Sequence, residues 1–217
     1  SKVTHDIVNT VAPDVKNYYL PHAVDTKIFR KFEDEEINIA RAQHFKEEES
    51  DKFTFFWNNR NARRKLSGSL VYWFNEFAEE VGPEKVRLIM HTDPKDPNGQ
   101  DLPLLMQNIG ATDGRILLST LKVAPEHLTV MYNLADCTIN ISDAEGFGLA
   151  TLESLACGTP IIVNMTGGLQ EQVTDGEDWF GIGIEPTSKA IIGSQQVPYI
   201  YEDRVSKKDF IDSLHKM

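Results

Sequence analysis

An α/β fold built on parallel strands is predicted by three features of the sequence. Strand-like and helix-like segments alternate along the chain. Phe53–Trp57 (F-T-F-F-W) is a near-continuous apolar run, the pattern of a parallel strand covered on both faces. The stretch Asn140–Gly168 reads as a buried strand, a glycine-bearing turn, a helix, a second strand and a second glycine turn. A chain of 217 residues with 41% hydrophobic content can bury one large core, or a core plus a small appendage.

Taken in order, residues 3–12 are weakly helical and Asn17–Leu20 reads as a short strand. His22 follows in a Pro-His turn. It reads as a turn histidine bonding neighbouring backbone, rather than as a contact at the edge of a cleft. Residues 33–50 are acid-rich with a poor apolar stripe at Ile37, Ala40, Ala42 and Phe45, which predicts a solvated helix and a charged loop. After the Phe53–Trp57 strand comes N-N-R-N-A-R-R-K. A helix follows over about 66–81, with Leu70, Phe74, Phe77, Ala78 and Val81 inward, and Gly82-Pro83 ends it. Val86–His91 is the next strand, Leu102–Ile109 a short helix and R-I-L-L-S after Gly114 another strand. A helix starts at Pro125, which suits a first helical turn, with Leu128, Met131, Tyr132 and Ala135 inward. Cys137–Ile141 is the strand that leads into the first glycine turn.

Composition excludes some roles. The net charge is −11, from 22 basic and 33 acidic residues, which argues against nucleic acid or an anionic membrane as the main partner. No apolar run approaches the ~18 residues of a membrane span, and no signal peptide is visible. Cys137 and Cys157 sit in apolar contexts and read as buried free thiols in a reducing compartment, hence a cytoplasmic protein. The chain opens at Ser1 without a methionine and ends at Met217 within a helical pattern, so both ends read as cut from a longer protein.

Two segments carry chemistry. Arg60, Arg63, Arg64 and Lys65 crowd into six positions of an acidic chain, in the loop leaving a strand and entering a helix. Open α/β sheets bind ligands at strand carboxyl ends, and cations beside a helix N-terminus suit phosphate; a solvated basic loop or a nucleic-acid patch is the alternative. In S-D-A-E-G-F-G-L, Gly146 and Gly148 bracket Phe147, so backbone can come close to a ligand. The helix starts near Gly148 with its unpaired N–H groups facing the loop. Leu152, Leu155 and Ala156 take the core face, which turns Glu153 away from it. A carboxylate accepting two hydrogen bonds suits a vicinal diol. Ser142-x-x-Glu145 also has the form of a capping box, but Gly146 and Gly148 would then fall in the first turn at up to ~1 kcal/mol each. Capping is therefore the weaker account of Glu145 and remains open for Glu153.

The run E-G-F-G-L-x-x-x-E-x-x-A-C-G-x-P resembles the donor-binding segment of retaining GT-B glycosyltransferases, the group that includes sucrose-phosphate synthase. Glu145 and Glu153 stand at the E-x7-E signature. L-P-H-A-V-D-T-K-I-F resembles the family's P-N-G-V-D-x-x-x-F, with Ala23 at the usual glycine. N-R-N-A-R-R-K resembles G-R-x-x-x-x-K-G, with Asn59 and Leu66 replacing the flanking glycines. T-G-G-L-Q-E-Q-V-T-D-G resembles G-G-x-x-E-x-v-x-x-G. The resemblance spans about residues 18–184 and implies a Rossmann-like parallel sheet flanked by helices, the second domain of a GT-B fold. It implies that Arg60 and Lys65 hold the diphosphate of a UDP- or GDP-linked sugar. Glu145 with the amides of Gly146, Phe147, Gly148 and Leu149 would hold the donor sugar and distal phosphate, Glu153 the ribose, and Leu121–Val123 (Leu121 and Val123 foremost) the base. No metal or other cofactor is expected, because cations replace the metal.

On this reading residues 1–20 end an interdomain linker and 21–217 form the donor domain, cut before a final crossover helix. The partner acceptor domain lies outside the chain, and the fragment alone is inactive as a hexosyltransferase. The segment Glu185–Asp203 exceeds the family's usual short turn and has no assigned role. Two other readings stay open: half of an isomerase resembling sugar-nucleotide 2-epimerases, and a binding domain that kept the fold without the chemistry.

Overall fold

The structure, a computed structural model, describes residues 1–217 except for the side chain of Glu48. In chain order it comprises α1 (Lys2–Val11), α2 (Asp34–His44), β1 (Phe53–Asn58), α3 (Ser67–Val81), β2 (Val86–His91) and α4 (Leu102–Asn108). There follow β3 (Ile116–Ser119), α5 (Pro125–Leu134), β4 (Cys137–Asn140), α6 (Leu149–Ala156), β5 (Ile161–Asn164) and α7 (Gln170–Val173). The chain closes with β6 (Gly181–Ile184), β7 (Ser188–Ile192), β8 (Ile200–Arg204) and α8 (Lys207–Lys216). The main sheet has six parallel strands in the order β3-β2-β1-β4-β5-β6. This is the doubly wound order, and its direction of winding reverses between β1 and β4.

The β1 run is apolar throughout because both faces are covered. Successive side chains alternate faces. Phe55 and Trp57 join a core with Leu70, Phe74, Leu88, Ile139 and Phe210, while Phe56 points to a second core of Phe29, Tyr132 and Cys157. Burying each of these large side chains is worth roughly 1.5–3 kcal/mol. Both cysteines are buried free thiols, and burial pushes Cys157 up to about 12. Helix boundaries follow local rules. Asp101 caps α4 by accepting from Leu104 N–H at 3.0 Å, Pro125 opens α5, and Gly82 at φ 106° closes α3.

Three sequence expectations need correction. Asn17–Leu20 is irregular rather than a strand. It has no ladder partner, and Tyr18 and Leu20 face solvent at 70% and 87% exposure. The fully buried residues of α6 are Thr151 and Ser154, while Leu155 and Ala156 pack only at the edges of the core clusters and Leu152 joins none of them. The helix lies close against its neighbours, where small hydroxyl side chains fit and bond: Ser154 donates to Thr138 Oγ1 (2.8 Å), Thr151 to Gln172 Oε1 (2.6 Å). Leu152 and Leu155 instead line a surface groove of about 430 Å³ with His22, Phe147 and Phe180. His22 is therefore no simple turn residue; its ring lies 4.8 Å from that of Phe147. The Glu185–Asp203 segment forms most of a separate antiparallel ribbon, β7–β8.

Candidate functional site

β1 and β4 are neighbours, so the loops leaving them, 59–66 and 141–148, meet at the point where the sheet's winding reverses. A backbone bond from Asp143 N–H to Arg64 O, 2.8 Å, joins the two loops. The basic loop ends in a 3-10 turn, Arg63–Lys65, and then Leu66 in the left-handed region at φ 54°. Such a conformation costs a residue other than glycine roughly 1–2 kcal/mol. Leu66 stands where the resembled family has glycine, and its strain is located beside the site.

Lys65, only 7% exposed, forms an ion pair with Glu145. Burial holds the Lys65 ammonium below its usual range, against the opposing pull of Glu145. Arg64 donates to Ala144 O at 2.6 Å and stands 3.6 Å from Glu145. Arg60 is held differently, by Asp96 in the loop after β2 at 2.6 and 3.2 Å. Its guanidinium pulls the Asp96 carboxyl far below the usual carboxylate range. Arg63 turns to Glu202 on β8. A buried lysine–carboxylate pair is a poor source of stability, because desolvation offsets its attraction. Its place at strand carboxyl ends marks it as a functional candidate.

The loop beside the pair leaves several of its amides unpaired. Gly148, φ 92°, is the cap residue of α6, so Glu145 and Gly146 precede the helix and cap nothing. Among the described residues, the N–H groups of Gly146, Phe147 and Gly148 donate to no protein acceptor. With the first amides of α6, starting at Leu149, they form a cluster of donors at the positive end of the helix. The second glycine turn supports this loop from behind. Gly168 N–H donates to Glu145 O at 3.1 Å, and a Cβ on Gly167 would fall 1.8 Å from that oxygen. Gln172 secures the loop through Phe147 O and Gly148 O, at 2.5 and 3.1 Å.

Glu153 is half-buried on α6. It accepts a 2.7 Å hydrogen bond from Tyr132 OH, which itself accepts from Asn58 Nδ2 at 2.9 Å. Burial raises the Glu153 carboxyl, and the Tyr132 bond opposes this. Leu121 and Val123 lie in the exposed loop between β3 and α5, on the edge-strand side of the sheet. The structure thus brings Lys65 and Glu145 together, places the glycine amides beside them and leaves Arg60 on Asp96. Arg64 and Tyr132 were not singled out from sequence, and His22 reads there as a turn histidine rather than a cleft contact. Arg64 carried only its membership of the basic run, and Tyr132 read as one more inward residue of α5.

A doubly wound α/β protein with cationic and acidic loops meeting at its switch point is the class that fold and site define. The model of the family described as glycosyl transferases group 1 matches residues 98–213, more than half of the chain, and the chain belongs to that family. It is similar to the D-inositol 3-phosphate glycosyltransferase of Acidothermus cellulolyticus, 41% identical over 76 residues, which cover 35% of this chain and 16% of that protein. Among solved structures, the sucrose-phosphate synthase of Thermosynechococcus elongatus superposes with a TM-score of 0.74 at 22% identity, over 100% of this chain and 47% of that one. The Anabaena protein HepE, solved with UDP-glucose, superposes with a TM-score of 0.60 at 19% identity, over 76% of this chain and 43% of that one. The chain spans less than half the length of each of these proteins. These structures share the GT-B type of Rossmann-like α/β fold. Among the described residues no helix is long and apolar enough to cross a membrane.

Proposed function

We propose that this chain is the donor-binding half of a retaining, metal-independent hexosyltransferase. It takes a nucleoside-diphosphate sugar, UDP- or GDP-linked, and works with an acceptor-binding domain in the cytoplasm. The observation that carries the reading is the buried Lys65–Glu145 pair beside three unpaired loop amides. The UDP-glucose held by the similar Anabaena protein supports it.

In this scheme the diphosphate lies over the basic loop. Lys65 and Arg64 meet it where they stand, and Arg60 exchanges Asp96 for a phosphate oxygen. These cations and the α6 amides stabilise the charge that develops on the departing nucleoside diphosphate, which is where binding energy lowers the barrier. No metal is needed for that charge. Glu145, released from Lys65 as the phosphate takes the ammonium, accepts from donor-sugar hydroxyls. The free oxygen of Glu153 accepts from the ribose, and the Leu121–Val123 backbone faces the base. Retention follows when the acceptor attacks on the face that the leaving group vacates, with the leaving phosphate taking the acceptor's proton.

Calorimetric titration with UDP, GDP and their sugar conjugates tests the proposal. Binding lost in Lys65→Ala is the expected result, and absence of heat with every one of these ligands on folded protein refutes it. In the full-length enzyme, transfer that survives Glu145→Ala and Lys65→Ala together would refute the assignment of those residues.

A further inference from the structure

The β7–β8 ribbon reaches back into the donor loops. Two carboxylates are deeply buried there, Glu202 at 2% exposure and Asp143 at 0%. Glu202 takes both ends of the Arg63 fork, at 2.6 and 2.8 Å. Arg204 spans Glu202 at 3.0 Å and Asp143 at 2.6 Å. The intervening Asp203 binds through its backbone and side chain. Its N–H donates to Asp143 O (2.8 Å), its carbonyl accepts from Asn164 Nδ2 (2.9 Å) and its carboxylate accepts from Thr166 Oγ1 (2.7 Å). Asn164 Nδ2 also donates to Ser142 O at 2.9 Å. Three successive residues of β8 therefore fasten the basic loop, the acidic loop and the second glycine turn.

These contacts fall beside the site. Arg63 shares its 3-10 turn with Lys65, and Asp143 lies two residues before Glu145. The turn ends in the strained Leu66 and needs outside support to persist. A buried ion network is a weak device for stability, since apolar packing of the same volume serves as well or better. A bidentate guanidinium–carboxylate pair does supply fixed geometry.

We infer that Glu202 and Arg204 are positioning residues, which hold the two donor loops at the spacing where Lys65 meets Glu145. The ribbon is thus a working part of the site rather than a surface appendage. Its consequence for nucleotide binding rests on the donor-site reading above; its consequence for Lys65 does not.

The test has two arms, run on folded wild-type, Glu202→Gln, Arg204→Met and, as a control on the same ribbon, Tyr199→Ala. The first arm needs no ligand. Reductive methylation with peptide mass spectrometry follows the rate at Lys65 relative to the exposed Lys208. We expect a several-fold faster rate in Glu202→Gln and Arg204→Met and no change in Tyr199→Ala. An unchanged Lys65 rate in whichever of the first two folds overturns the inference. The second arm titrates UDP and GDP. About a tenfold loss of affinity is expected in Glu202→Gln, and no further loss when it is added to Arg63→Met. Full affinity in Glu202→Gln also overturns the inference. If wild-type protein gives no heat, the donor reading fails and the methylation arm alone decides.

Discussion

Gly146 is a glycine that the chain does not need for its own folding. Its φ is not positive, and a Cβ built there meets nothing within 4 Å. The opposite holds at Gly167 and Gly168, whose Cβ atoms would strike the backbone of the neighbouring loop. On the proposed reading, the open side of Gly146 is where the ligand comes close. Gly146→Ala should therefore leave the thermal midpoint unchanged or slightly raised, a glycine-to-alanine gain being about 0.4–1 kcal/mol. UDP and GDP affinity should fall about tenfold, or ~1.4 kcal/mol. Undiminished affinity would remove the glycine from the site.

Asp143 sets a pH dependence of its own. Burial pushes its carboxyl up to about 6, against the pull of Arg204. A carboxyl raised in the folded state binds more protons there than in the unfolded chain, so its contribution to stability declines as pH rises from about 4 to about 6. Over this window the decline amounts to about 2 kcal/mol. Denaturant titrations of wild type and Asp143→Asn should show wild type losing about that much relative to the variant over this window. A constant difference would contradict the assignment. At this scale the Glu145–Glu153 spacing and Lys65 were legible because they are local patterns. Arg64, Tyr132 and Glu202 acquire meaning only from partners 21 to 139 residues away, which no local pattern carries.

Elements were legible where a face repeats with a period. β1, β2, α3 and the Pro125 helix read correctly because both sheet faces are covered and Leu70, Phe74, Phe77 and Ala78 repeat on one side of α3. The readings failed where the outcome depends on a neighbour. Asn17–Leu20 has strand composition but no strand beside it. α6 hides hydroxyls because adjacent strands and Gln172 offer them partners. The support of one loop by another gives an element-scale prediction. A Cβ at Gly168 would lie 2.5 Å from Phe147 Cα and 2.8 Å from Gly146 O. Gly168→Ala should cost about 1–3 kcal/mol through overpacking and weaken nucleotide binding with it. Chemical denaturation and calorimetry on the same variant check both effects. Loss of stability with affinity intact would separate the second glycine turn from the donor loop.

At the scale of the whole molecule, the strand order accounts for the position of the site. Loops after β1 and β4 meet where the winding of the sheet reverses, and their junction holds a buried cation, an acid and free amides. The remaining charge of the chain is strongly negative, so on the proposed donor-site reading the local cluster holds an anion against the field of the protein. That makes Lys65 the side chain on which binding by this chain depends most. The direct measurement is a calorimetric titration of folded wild-type chain and Lys65→Ala with UDP and with GDP. Weak saturable binding of at least one nucleotide is predicted, with Kd on the order of 0.1–1 mM, about −4 to −5.5 kcal/mol, and no detectable heat from Lys65→Ala. Equal binding by both proteins, or none by wild type, would contradict the account.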